Sequence, residues 1–304
     1  MSPSSQHVLH VRVYVCVLVA VLVVVLAGCS TSKPATDEAA GGQHNGQGNG
    51  QGNANKSPSG KPSTPKTTEK PPPAPHDSQC RTLTFGDINR FSNSAATTSC
   101  SRPHTSYTFA VATLPKVVAF KGVDIGNDAV QEAASLECRS RFASFIGGSA
   151  ATRALSRLSV TYFLADQKGF DLGARWIRCD VIALRSDQIL AELPSQLEKF
   201  NDDSGALDDF GLCSRGDPGS AEAVLLMCNQ THTYRSVTAL RLGAVDASYP
   251  GEGAVKDDGK QQCDDFVSRM LGVKGGYSYA WTYPSTDDWD NGQRFGYCWN
   301  KTSN

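Results

Sequence analysis

Phe170-Asp171-Leu172-Gly173-Ala174-Arg175-Trp176-Ile177-Arg178-Cys179 has a counterpart late in the chain, Trp289-Asp290-Asn291-Gly292-Gln293-Arg294-Phe295-Gly296-Tyr297-Cys298. Both read aromatic-Asp-x-Gly-x-Arg-aromatic-x-x-Cys. Upstream of each lies a cysteine that opens a Cys-x8-Gly spacing, Cys138 to Gly147 and Cys263 to Gly272. Further upstream, Cys100-Ser-Arg-Pro-His104 matches Cys228-Asn-Gln-Thr-His232, each Cys-x-x-x-His. Landmarks repeated in the same order imply an internal duplication. The units are expected at 80–187 and 213–304, with a linker at 188–212.

The duplication gives a secondary-structure expectation. Asn127 or Asp128 can cap a helix whose apolar positions Val130, Ala134, Cys138, Phe142 and Phe145 share one face, and Gly147 is a natural stop. Cys263, Phe266, Val267 and Met270 do the same before Gly272. β-Branched and aromatic runs mark strands at Tyr107–Thr113, Ser159–Leu164, Arg175–Leu184, Ala223–Cys228, Ser236–Leu242, Tyr277–Tyr283 and Arg294–Trp299. Each unit then reads about β-β-α-β-β, an α+β fold. The linker is expected to hold a short helix around Ile189–Phe200.

The chain has ten cysteines. Cys16 falls in an N-terminal apolar run and Cys29 ends that run. The rest form two quartets: Cys80, Cys100, Cys138 and Cys179, then Cys213, Cys228, Cys263 and Cys298. An even number in an exported chain implies a disulfide framework. No Cys-x-x-Cys pair suggests a metal site instead. First with second and third with fourth is the expected pairing, although four cysteines allow three connectivities.

Export is implied by the first 28 residues. Arg12 precedes an apolar run, Val13–Leu26, that is shorter than the ~20 residues a membrane span needs. It ends in Leu26-Ala27-Gly28-Cys29, which resembles the bacterial lipobox. That resemblance implies cleavage before Cys29 and a diacylglyceryl group on its thiol. Two acyl chains suffice for stable anchoring, at roughly 0.8 kcal/mol per buried CH₂. Residues 29–79 then form the lipidated end and a tether. From Ser30 to Gln79 there is no Val, Ile, Leu, Met, Phe, Tyr or Trp, so disorder is expected. A flexible coil of this length spans roughly 40 Å, and a fully extended chain about 150 Å.

Composition excludes several functions. The formal net charge of −1 gives no electrostatic case for nucleic acid. The folded part holds only His104 and His232, so a three-histidine zinc site is excluded by count. Their equivalent placement suggests either a ligand or proton-handling role or a side chain that caps a turn after a bridged cysteine. No nucleophile motif accompanies them. Arg175 and Arg294 can bind a carboxylate or phosphate, or pair with Asp171 and Asp290 to lock the preceding turn. Trp281, Tyr283, Trp289 and Trp299 read as core, or as a surface for sugars or a protein partner. Neither a cofactor nor a catalytic residue is implied.

The combination of Cys-x-x-x-His, a helical cysteine and aromatic-Asp-x-Gly-x-Arg-aromatic-x-x-Cys resembles the septum-formation domain of actinobacterial envelope proteins. It covers nearly all of Cys80–Cys298, as two copies. Cys100, Pro103 and His104, with Trp289, Gly292, Arg294 and Cys298, carry it best. Phe170 replaces the usual Trp, and His232 lacks the preceding Pro. The resemblance implies an envelope protein connected with cell division or septation; together with the lipobox, the tether and the disulfides it gives the expectation of a membrane-anchored, extracytoplasmic chain with a cell-wall or division-site partner. Three functions follow as expectations: non-enzymatic binding or scaffolding, a wall-acting enzyme using His104 or His232, and a solute-binding or sensor lipoprotein.

Overall fold

The structure is a computed structural model that describes residues 69–120 and 122–302. The signal segment 1–28, Cys29 and the tether through residue 68 lie outside the described residues. No helix among the described residues is long and apolar enough to cross a membrane.

Two antiparallel sheets are each crossed by one long helix. The first sheet contains β1 (Gln79–Arg81), β2 (Ser106–Thr113), β3 (Leu158–Leu164), β4 (Trp176–Ser186) and β5 (Ile189–Leu190), in the order β1-β2-β4-β3 with β5 beside β4. Its helices are α1 (Phe85–Ile88), α2 (Asp128–Ile146), α3 (Ala150–Ala154) and α4 (Gln167–Asp171). A short helix α5 (Ala206–Phe210) leads to the second sheet. That sheet contains β6 (Leu212–Arg215), β7 (Val224–Met227), β8 (Tyr234–Arg241), β9 (Tyr279–Thr282) and β10 (Phe295–Lys301), in the order β7-β6-β8-β10-β9. It carries α6 (Glu252–Leu271) and α7 (Thr286–Asp290).

The long helices form where capping and apolar spacing predict them. Asn127 accepts from the Ala129 amide to start α2, and Gly147 follows its last residue at φ 77°. The buried stripe of α6 is Val255, Gly259, Cys263 and Val267, an i, i+4 row. Met270 was expected on that face but is exposed, because it lies off the row at the end of the helix.

Four disulfides fix these layers: Cys80–Cys100, Cys138–Cys179, Cys213–Cys228 and Cys263–Cys298. Two tie a long helix to the central strand beneath it. The others staple the strand that opens each sheet. With sequence separations of 20, 41, 15 and 35 residues, each contributes about 3–4 kcal/mol in the chain-entropy model.

The sheets agree residue for residue at their centres. Cys80 pairs with Tyr107 and Cys213 with Arg235, each three residues after the histidine. Ala110 faces Cys179 and Thr238 faces Cys298. A bulge precedes that pair at the same place in β2 and β8. It reverses the faces of the strand. Phe109 thus contacts Phe142 and Phe145 on α2, while Ser106 and Thr108 point to the far side.

One substitution between the sheets is compensated by size. Tyr162 lies opposite Cys179, and Trp281 opposite Cys298. The larger indole fits because Gly259 and Gly296 lie against it; a Cβ at either position would overlap the ring. Tyr162 donates instead to Gln131 Oε1 at 2.8 Å. Burial pushes its phenol from 10 up to about 12. The unfolded phenol therefore ionises first. Stability is intact below pH 10 and is lost as pH rises from about 10 to about 12, by roughly 2–3 kcal/mol. Tyr162→Phe is expected to make that alkaline slope shallower, measured as urea midpoints across the range, the remainder coming from phenols shifted the same way such as buried Tyr297. An unchanged slope would refute the assignment.

The linker departs from expectation. Ile189–Phe200 is not helical: β5 starts it, and Leu193 donates its amide to His104 O at 2.9 Å. Pro194 removes a helical donor, and Ala191, Leu193 and Leu197 are buried in a core shared with Ile146, Val181, Phe210 and Met227. The helix lies later, as α5. Two backbone bonds cross the junction, Arg157 N to Phe210 O and Leu212 N to Leu155 O, both 2.7 Å. Both sheets thus belong to one compact unit. The expectation of disorder up to residue 79 is also corrected. Glu69 pairs with Lys168 at 2.5 Å, Pro72 lies against Gly169, and Gln79 enters β1.

Candidate functional site

Each histidine ends the turn that follows a bridged cysteine. His104 is 2 % exposed and His232 is 4 % exposed. Each Nδ1 lies 2.8 Å from the carbonyl two residues earlier, of Arg102 and Gln230. A carbonyl only accepts, so Nδ1 carries the proton and the ring closes its own turn. His104 Nε2 is buried without a hydrogen-bond partner among the described residues.

The arginines form a second matched pair. Ser285 and Asp288 form a capping box that starts α7, and Asp166 caps α4. Each short helix buries one aromatic, Phe170 or Trp289. The following arginine stacks on it, at 4.0 Å for Arg175 and 4.3 Å for Arg294. The same guanidinium donates to the aromatic's own carbonyl and reaches a loop on the far side. Arg175 Nε donates to Ala119 O at 2.7 Å, and Arg294 Nε to Ala244 O at 3.1 Å. The expected pairing with Asp171 and Asp290 is corrected: among the described residues no ion pair joins them, and carbonyls serve as the partners. The turn is locked, but by loop backbone.

A third cluster has no counterpart in the second sheet. Arg81, Arg178 and Asp180 are buried on the face of the first sheet away from α2. Asp180 accepts from Ser106 and Thr108 at 2.7 Å and faces Arg178 Nε at 3.1 Å. Arg81 donates to Thr108 Oγ1 at 2.8 Å, and Arg178 covers the Phe163 ring at 4.2 Å. Burial pushes both guanidinium groups below their ordinary value, while the Asp180 charge pulls them back up. Equivalent positions in β10 hold Tyr297 and Trp299. The sequence does contain a signal: Arg178 and Asp180 alternate with apolar residues in a strand that is buried on both faces.

No group of three or more His, Cys, Asp or Glu among the described residues can hold a metal ion. A surface depression of about 360 Å³, lined by Leu271, Tyr277, Ser278, Asn300, Lys301 and Thr302, contains none of the residues singled out above. What the matched histidines and arginines do is hold turns and loops in place.

A family model described as septum formation matches residues 77–298, more than half of the chain. Comparisons with curated proteins and with solved structures found no match.

Proposed function

Because the chain belongs to the septum-formation family, we propose that it is an actinobacterial envelope lipoprotein, acylated on Cys29, that serves septation by binding rather than by catalysis. The match over residues 77–298 carries this reading. The lipobox Leu26–Cys29 and the polar stretch behind it support anchorage with reach. On this reading the two sheets are tandem copies. Their equal registers, equal bulges and paired His and Arg contacts support a duplication. The partner is a cell-wall component or a division-site protein on the extracytoplasmic face. A hydrolase using His104 or His232 gains no support from their geometry, since both rings are buried and each Nδ1 is occupied. A sensor cleft between the copies gains none from a junction filled by shared core.

A fluorescently tagged chain is expected to concentrate at division sites, and deletion to disturb septa. Uniform distribution with normal septa would overturn the division role. Cys29→Ser is expected to move the chain from the membrane pellet to the soluble fraction. Unchanged membrane retention would overturn lipid anchoring and leave the division role standing.

A further inference from the structure

We propose that the turn Pro115–Phe120 is a second membrane contact, one that seats the first sheet on an anionic lipid surface. Val118 N and Ala119 N both donate to Pro115 O, at 3.2 and 3.1 Å. This one turn divides its side chains. Ala119 is buried and Val118 packs on the core, whereas Val117 is 82 % exposed and Phe120 60 % exposed. The turn is fixed from below, because Arg175 Nε holds the Ala119 carbonyl at 2.7 Å. The apolar pair is therefore held outward on a fixed turn.

Charge favours lipid as the occupant. Lys116 is exposed immediately before the pair, and in sequence Lys121 follows it. An apolar tip with basic neighbours fits acyl chains beneath anionic headgroups. Two projecting side chains are far too small for a stable protein interface, which needs about 800 Å² per partner. The route of the chain points the same way. Glu69 and Pro72 lie against α4 at Lys168 and Gly169. On the same helix, Gln167 donates to Val123 O at 3.2 Å and accepts from Ile125 N at 2.9 Å, just beyond the turn. The segment that leads back in sequence to Cys29 thus meets the fold at the corner where the turn projects. The second sheet provides an internal control in the loop held by Arg294: Val245, one residue past Ala244 as Phe120 is past Ala119, is 75 % exposed, but Asp246 follows it and no lysine flanks it.

The proposal rests on the anchoring reading, and one experiment separates the two. The processed, lipidated chain is reconstituted into phosphatidylcholine vesicles with or without phosphatidylglycerol. An environment-sensitive fluorophore is attached at Val117→Cys or, as control, Val245→Cys. Each variant is first shown to keep the four disulfides by mass mapping. The expected result is several-fold stronger quenching by spin-labelled lipid at position 117 than at 245, in the phosphatidylglycerol vesicles. Lys116→Glu is expected to bring the quenching at 117 down to the control level. Flotation with equal quenching at both positions overturns the lipid-seating turn and leaves the anchor intact. Failure of the chain to float with any vesicle overturns both.

Discussion

Asp180→Ala is expected to lower stability by about 3–5 kcal/mol, the range for breaking one side of a buried ion pair. Asp180 is 0 % exposed and is the only carboxylate facing Arg178 and Arg81 among the described residues. Its removal leaves two buried cations without the one carboxylate that faces them among the described residues. It also orphans the Ser106 and Thr108 hydroxyls, which donate to it at 2.7 Å. Nε and Nη2 of Arg178 already lack a hydrogen-bond partner among the described residues, so no spare acceptor absorbs the loss. Asp180→Asn keeps acceptor capacity for one hydroxyl and is expected to fall between wild type and Asp180→Ala. Urea denaturation with the disulfides intact checks this. A midpoint shift equivalent to less than about 1 kcal/mol would show that water screens the cluster.

Trp289→Ala should cost a similar amount, about 3–5 kcal/mol, for a different reason. Trp289 is 2 % exposed and is enclosed on several sides. Arg294 lies over one face at 4.3 Å, and Tyr249 meets the ring at 5.6 Å. The far edge presses on Gly243, where a Cβ would come within 2.8 Å of the ring. Truncation leaves a cavity and strips the arginine of its platform. Trp289→Phe is the informative companion, because the first sheet places Phe170 under Arg175 in the same geometry. It is expected to cost about 1 kcal/mol, the worth of the lost Nε1 bond to Ala247 O. Calorimetry of both variants decides the matter. Equal losses would mean that the hydrogen bond, and not the ring, holds the turn.

Local rules in the sequence anticipated what local rules control. Asn127, Gly147 and Gly272 mark helix ends because caps are short-range chemistry. The strands around Cys179 and Cys298 followed from residue type and from the two motifs. The Arg81, Arg178 and Asp180 cluster as a whole has no local signature because it joins residues distant along the chain on one face of the sheet. Periodicity registers only the apolar face of such a strand. Arg175 and Arg294 stand out in the sequence through the repeated motif, and Asp171 and Asp290 are the nearest acidic residues that motif offers them. Backbone carbonyls carry no sequence signature, so Ala119 O and Ala244 O could not be foreseen. The misplaced linker helix has a similar cause: Ala191, Leu193 and Leu197 satisfy a helical spacing loosely, yet they bury into a junction core whose far wall comes from the other sheet.

The pairing of cysteines bears on how the chain matures. Among the described residues every bridge joins a cysteine to the next one along, Cys80 to Cys100, Cys138 to Cys179, Cys213 to Cys228 and Cys263 to Cys298. A polypeptide delivered N-terminus first would present its thiols in that same order. An oxidant that couples each newly arrived thiol to the one still waiting would reach the native set with no misjoined intermediate. Maturation of this protein should therefore need an oxidase but no disulfide isomerase.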